Sequence, residues 1–342
     1  MVLGETIQLA HGGGGSLSHQ LIEELLVPAF GPADGVLHDA AVLTSPGRRL
    51  AFTTDSYVVR PLFFPGGDIG RLSVLGSVND LAMAAARPVA MSLGLILEEG
   101  LAMATLERVV DSIRLAAQEC GVPLLTGDTK VVEHGKADGL FINTSAIGVL
   151  EHPCSSHPSL VRPGDAVLVS GDLGRHGLAI LVSRGELGLR SGLESDLASL
   201  QPSVQALLLA GVELHCLRDL TRGGLASAID EVARAAGCEV ELDEEAIPIH
   251  PSVAAACDLL GLDSLAMANE GRMLLICPPS AVDQVLNVLR QYRPEAACVG
   301  EVMQPLDHAS SLRQRHPVSL RNSLGVLQPL EVGRGEHLPR IC

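Results

Sequence analysis

The sequence predicts an α+β protein built from two layered α/β-type domains, and three observations point there. The chain has 342 residues, more than one hydrophobic core ordinarily serves. Apolar residues make up 47% of it, enough for each half to bury a core of its own. Short apolar runs with strand character alternate with segments of helical periodicity. Between the halves, residues 151–164 carry Pro153, Pro158 and Pro163, which break regular structure and mark a connection.

The elements follow in order. Runs at 50–53 and 140–150 read as strands, as do 166–170, 273–277 and 297–302. Residues 69–86 read as a helix closed by Pro88. Over 106–120, Leu106, Val109, Val110, Ile113, Ala117 and Cys120 recur at helical spacing, and Gly121 and Pro123 end the run. Residues 223–236 and 280–291 are further helices. Beyond about 305 the chain turns polar and rich in Pro and Gly, and reads as a tail. The expected organisation is an arm over 1–35, a first domain over 36–150, a linker over 151–164, a second domain over 165–305 and a tail over 306–342.

Composition narrows the function. With no Trp, two Tyr and five Phe, the chain offers few platforms for base stacking. Its 24 Lys and Arg stand against 40 Asp and Glu, a net charge of −16 that repels phosphate backbones. Nucleic acid is not an expected partner. A phosphorylated ligand would be held by backbone amides, helix ends and divalent cations. No apolar run reaches the length of a membrane span, and Met1–Glu5 lacks a secretion signal, so a soluble cytoplasmic protein is expected. The cysteines, at 120, 154, 216, 238, 257, 277, 298 and 342, form no CxxC pair, which excludes a zinc knuckle and a dithiol motif.

Several fragments can carry chemistry. His11-Gly12-Gly13-Gly14-Gly15-Ser16 allows backbone amides to converge on an anion, although it matches neither a P-loop nor a dinucleotide fingerprint; a flexible arm would read the same way. Asp39, Asp55, Asp80 and Asp128 each fall at an expected strand or helix end. One such aspartate is ordinarily a cap or turn residue, but four supply the hard oxygen ligands that Mg²⁺ and nucleotide phosphates require. Asp80 lies among Leu75, Val78, Leu81 and Met83 in a helix that otherwise reads as buried, where a carboxylate needs a partner. Lys130, two residues after Asp128 in an extended segment, points the same way as it. In the second half stand Ser170-Gly-Asp-Leu-Gly-Arg-His-Gly177, Arg218-Asp-Leu-Thr-Arg-Gly-Gly224 and Ala268-Asn-Glu-Gly271, whose glycines permit tight turns and close approach to a ligand. The chain ends in Pro339-Arg340-Ile341-Cys342. Termini are usually exposed and unreactive cysteines buried, so a terminal thiol can travel and carry a group.

These fragments, in this order and over essentially the whole chain, resemble the HypE family of hydrogenase maturation factors. That family sits in the ATP-binding superfamily of aminoimidazole ribonucleotide synthetase, selenophosphate synthetase and thiamine monophosphate kinase. The terminal Pro-Arg-Ile-Cys is the specific piece; the aspartates and glycines are common to the superfamily. The resemblance implies ATP-dependent dehydration of an S-carbamoyl group on Cys342 to a thiocyanate, the source of the cyanide ligands of [NiFe]-hydrogenase iron. It implies catalytic roles for Cys342, Lys130, Glu270 and Asp80, with Asp39, Asp55, Asp80 and Asp128 as Mg²⁺ ligands. Nucleotide contacts are implied at Gly12, Gly13, Gly14, Gly15, Thr54, Asn79, Thr126, Gly127 and Asn143. Implied partners are the carbamoyltransferase HypF, the HypC–HypD complex and a second copy of the chain, with the N-terminal domains sharing a β-barrel.

Residues 332–342, extended, would span on the order of 35 Å, so the tail has the length to dip into its own ATP site and to swing out. Two departures stand out: His38 precedes Asp39 where paired acids are usual, and Gly13 replaces a common hydroxyl residue. The rival readings are a selenophosphate synthetase or small-molecule kinase of the same superfamily, and a non-catalytic assembly scaffold. The first generally needs a reactive Cys or selenocysteine near the N-terminus, whereas the first cysteine here is Cys120.

Overall fold

The computed structural model describes residues 15–21, 23–24, 41–45, 48–153, 156–185, 192–306, 316–333 and 340–342. Gly12, Gly13, Gly14, His38 and Asp39 lie outside the described residues.

The first domain is a five-stranded sheet with helices on one face. Its strands are β1 (Ala41–Ser45), β2 (Arg48–Tyr57), β5 (Arg87–Glu98), β6 (Leu124–Val132) and β7 (Leu140–Val149), in the order β1-β2-β7-β5-β6. All neighbours are antiparallel except β5 and β6, which are parallel and need a helical crossover. That crossover is α3 (Met103–Glu119). A short hairpin of β3 (Phe63–Phe64) and β4 (Gly67–Asp68) leads into α2 (Ile69–Met83).

α2 is the central element. Asp68 caps it by accepting from the Gly70 and Arg71 amides, a stabilising N-terminal arrangement. Nearly every residue from Ile69 to Met83 is buried, as expected of a helix apolar all round. It stops before residue 86, the expected end, because Ala85 takes a left-handed φ of 57° and turns the chain into β5. Strand β5 is absent from the sequence reading, since Pro88 looked like a breaker. Pro88 instead sits at a bulge in the pairing with β7, a place where a strand tolerates the missing N–H.

The second domain is a seven-stranded sheet in the order β14-β13-β10-β12-β8-β11-β9. Its strands are β8 (Ala166–Val169), β9 (Cys216–Asp219), β10 (Cys238–Asp243), β11 (Met273–Cys277), β12 (Ala297–Pro305), β13 (Val318–Arg321) and β14 (Leu327–Pro329). The last two come from the segment that reads as a tail; Val318 is buried against β10. Helices cover both faces, so the central strands are apolar without alternation. Val167 and Val169 pack with α6 (Gly224–Ala236), whereas Leu168 meets α5 (Gln201–Leu209) and α8 (Val282–Leu289). α4 (Arg175–Ser183) and α7 (Pro251–Leu260) complete the layer. Ala82 and Met83, at the end of α2, join the second domain's core, so the two domains are packed together through that helix. Among the described residues no helix is long and apolar enough to cross a membrane.

Candidate active site at the domain junction

Strand β2 divides the predicted site residues between two faces. Its burial alternates, so Ala51, Thr53, Asp55 and Tyr57 turn towards α2 while Phe52, Thr54 and Ser56 face away. Cross-strand register carries the division through the sheet. Ser56, Asn143, Gly94 and Asp128 lie in one outer row, and Thr54, Ser145, Ser92 and Thr126 in the next. Lys130 lies on the same outer side, in register with Ile96. It pairs with Asp128 at 2.8 Å, and both are about 70% exposed. The pairing, with the Thr129 amide, holds the Asp128 carboxyl below its usual range, the Lys130 hydrogen bond being the largest cause. Asn143 donates to the Asp55 carbonyl at 2.8 Å and to Ser56 at 3.0 Å. Gly127 belongs to the inner row of Asp55, and a Cβ there would run into the Leu93 carbonyl.

The inner face gathers the acids. The Thr53 hydroxyl donates to Asp80 Oδ2 at 2.5 Å, and the Tyr57 hydroxyl donates to Asp55 Oδ2 at 3.0 Å. Burial, then Asp55 and Asp80, push the Tyr57 phenol well above its ordinary value. From the second domain Asp219, at the end of β9, hydrogen-bonds to Asp80; burial first, and then Asp55 against the pull of Arg218, raises its carboxyl to about 6. Glu270, just before β11, is 3% exposed. Burial and the nearby Asp219, Asp196 and Asp55 lift it well above the carboxylate range, opposed by Arg222. Its Oε1 is buried without a hydrogen-bond partner.

The backbone around Glu270 is firmly held. Its amide and that of Gly271 donate to the Asp196 carboxylate at 3.0–3.3 Å. Asn79 reaches across from α2: its amide donates to the carbonyls of Ala198 at 3.1 Å and Glu270 at 3.3 Å, and its oxygen accepts from the Leu200 amide at 2.8 Å. The side chain is thereby committed to the domain junction. Asp196 in turn lies 3.6 Å from the buried Arg272, which also holds Asp172.

The end of the tail lies in this junction. The Val58 amide donates to the Cys342 carbonyl at 3.0 Å and the Arg60 amide to the Arg340 carbonyl at 3.2 Å, so residues 340–342 run alongside the chain that leaves β2. Arg340 donates to the Val58 carbonyl, pairs with Asp138 and lies over the Phe141 ring. Ile341 is buried. Cys342 therefore sits near Asp55, Asp219, Glu270 and Arg222. Burial, opposed by Arg222 and reinforced by Glu270, pushes its thiol up to about 12. Cys342 foremost, with Asp55, Glu270 and Tyr57, holds the Arg222 guanidinium above its usual range against the effect of burial.

Cys342, Glu270, Asp80 and Asp55 are thus brought together, while Lys130, Asp128, Thr54, Thr126 and Asn143 are placed on the other face of the sheet. Gly15 is buried and precedes α1 (Ser16–Leu21), which is tied to the second domain by Ser16 N to the Gly333 carbonyl at 3.0 Å and by His19 to Glu231 at 2.8 Å. Among the described residues, no three His, Cys, Asp or Glu side chains are gathered as a ready-made metal centre. Asp219, Arg222 and His176 are site residues that sequence reasoning did not single out. All three lie in fragments it quoted as turns.

The aminoimidazole ribonucleotide (AIR) synthase related protein models match the chain over both domains: the N-terminal domain over residues 37–150 and the C-terminal domain over residues 162–308. A curated relative, carbamoyl dehydratase HypE of Rhodobacter capsulatus, is 44% identical over 99% of this chain and 98% of its own. The chain belongs to the HypE family. Two solved structures of the family are similar throughout. One is a HypE–HypF complex, with a TM-score of 0.84, 37% identity, and coverage of 92% of this chain and 99% of that one. The other is a HypE in complex with ATP, with a TM-score of 0.81, 44% identity, and coverage of 98% and 100%.

Proposed function

We propose that the chain is an ATP-dependent carbamoyl dehydratase that converts an S-carbamoyl group on its own Cys342 to a thiocyanate. The observation that carries the reading is the docked tail, which sets the terminal thiol beside Glu270, a buried carboxyl with an oxygen that has no partner. The names of the relatives support it.

The chemistry balances as R–S–C(O)NH₂ + ATP giving R–S–C≡N, ADP and phosphate. Oxide cannot leave an amide carbon, so the carbamoyl oxygen first takes the γ-phosphoryl group, and one N–H proton departs. The second N–H proton then leaves as the C–O bond breaks and phosphate carries away the oxygen. Glu270 suits the transfer of these protons because its proton affinity is raised, which brings an acid–base group towards neutral pH. Asp80 and Asp219 share a hydrogen bond and form a second proton-holding pair. Arg222 is placed to stabilise the negative charge that develops on the leaving oxygen.

The acids crowd one another enough to raise Asp219 and Glu270, an excess of negative charge that fits a divalent cation. Asp55 and Asp80 would hold Mg²⁺ arriving with ATP, and it would neutralise phosphate charge. Lys130 and Asp128, on the outer sheet face, would meet nucleotide only where a second copy covers that face. We also propose HypF as carbamoyl donor, because a thiol pushed up to about 12 is a poor nucleophile while docked and has to be loaded with the tail swung out. HypC–HypD would accept the cyanide, in the cytoplasm, where thiols stay reduced.

The test is intact mass measurement of carbamoylated protein given Mg-ATP. The mass at Cys342 is expected to fall by one water. In Glu270→Gln, which keeps the volume and loses the acid, dehydration should slow by about 10²-fold or more. No loss of water in the unaltered chain would leave the scaffold reading.

A further inference from the structure

His176 is completely buried at the start of α4, 0% exposed, and the chemistry above does not use it. Its ring stands at 87° to that of Phe64, with the ring centroids 5.4 Å apart. Its Nε2 lies 2.8 Å from the Ile341 carbonyl, and its Nδ1 lies 2.8 Å from Ser195 Oγ. A carbonyl can only accept, so Nε2 carries a hydrogen. Burial keeps the imidazole below its usual range, against the pull of the Ile341 carbonyl, and a neutral ring then leaves Nδ1 as an acceptor. Ser195 completes the set: its oxygen accepts from the Leu197 amide at 3.1 Å, which leaves its own hydrogen for Nδ1. Every polar atom of the ring is matched, but only with the tail in place.

We propose that His176 is the positioning residue that seats the tail, its Nε2–H holding the Ile341 carbonyl so that the next residue, Cys342, presents its sulfur to Glu270. The proposal rests on Cys342 being the carrier thiol. Val58 and Arg60 grip the tail through backbone amides, and Arg184 donates to the Arg340 carbonyl at 3.0 Å. Val58 holds the carbonyl of Cys342 itself and Arg60 and Arg184 hold that of Arg340, whereas His176 is the side chain that grips the peptide group joining Ile341 to Cys342.

The latch is also built to release. A buried N–H left without an acceptor is costly, and withdrawal of the tail would strand this one. Glu270 Oε1 lies 4.0 Å from Nε2 and lacks a partner of its own. The N–H can therefore pass from Ile341 to Glu270 when the tail leaves. Undocking then costs the difference between two hydrogen bonds rather than a whole one, and Glu270 is screened until the tail returns.

The test uses the full chain and measures alkylation of Cys342 by iodoacetamide, mapped by peptide mass. His176→Leu is expected to raise the rate several-fold, less than the roughly tenfold that a whole neutral hydrogen bond would give. His176→Gln, which keeps an N–H at similar reach, is expected to return it to near the unaltered rate. The buried Cys257 and Cys277 serve as controls for general loosening. An unchanged Cys342 rate in His176→Leu overturns the proposal, as does an increase shared with the two control cysteines. Should that variant not fold, Ser195→Ala, which removes the partner of Nδ1, must raise the Cys342 rate, and no rise overturns the proposal. A failed dehydratase reading would appear separately, as carbamoylated protein that loses no water while alkylation still responds to His176.

Discussion

Asp219 holds its proton more tightly in the folded chain than in the unfolded one, at about 6 against an ordinary 3.8, chiefly because it is buried. At the acid end both states carry the proton. Between those two values the folded chain keeps a proton that the unfolded chain has released, so this group's contribution to stability falls as pH rises through the window. Asp219→Asn removes the titration. The difference in melting temperature, unaltered chain minus variant, is expected to decline from about pH 4 to about pH 7, as read by thermal melts. A difference that stays constant would count against a crowded, buried acid at this position. Asp80 and Cys342 were legible in the sequence because each is out of place locally, a carboxylate among apolar neighbours and a thiol at a free end, while Glu270 stood out through the family resemblance and its place just before an apolar strand. Asp219 and Arg222 were not, since Arg-Asp-Leu-Thr-Arg-Gly-Gly is what a tight turn needs anyway, and Gly223 and Gly224 indeed both have positive φ. Asn79 stood out as a nucleotide ligand, yet its amide is spent on three backbone groups of the second domain. Only tertiary approach distinguishes these cases.

At the level of elements, the loop before β11 explains why a glycine follows Glu270. A Cβ on Gly271 would fall well under 3.0 Å from the Asp196 carbonyl and crowd Ala198. Residues 196–198 would have to move, and Asp196 is the acceptor that fixes the Glu270 and Gly271 amides. Gly271→Ala is therefore expected to destabilise the chain by about 1–3 kcal/mol, the usual cost of overpacking, and to lower dehydration with it. An unchanged melting temperature would sink this account. The sequence showed β8 and β11 well, since strands buried on both faces are continuous apolar runs, and it showed the apolar first part of β12. It showed β5 poorly because Pro88 masks the bulge, and β13 and β14 poorly because short strands at and next to a sheet edge, among polar residues, resemble a tail. Helix α2 was plain in its apolar length, but its last turn depends on the left-handed Ala85, which sequence periodicity does not reveal.

For the molecule as a whole, the first sheet leaves one face uncovered among the described residues. An antiparallel sheet open to water is normally polar on that side, yet Phe52 and Ile147, neighbours in register, are 42% and 38% exposed, and Ile96 is 42% exposed. The polar rows that hold Thr54, Thr126, Asn143, Asp128 and Lys130 lie on the same face. A second copy seated there would cover the apolar patch and would bring those polar rows into a shared barrel, the arrangement under which they would meet nucleotide. Ile147→Asp places a charge in the middle of that face. We expect light scattering to find the unaltered chain dimeric and this variant monomeric at micromolar concentration. Cys342 should keep its unaltered alkylation rate in the variant, because the Val58 and Arg60 amides lie beyond the end of β2 and His176 belongs to the second domain. Dehydration should fall with the dimer, since Lys130 and Asp128 would lose the second copy that brings nucleotide to them. A monomeric variant with full turnover would remove the outer face from the chemistry, and a variant that stays dimeric would place the interface elsewhere.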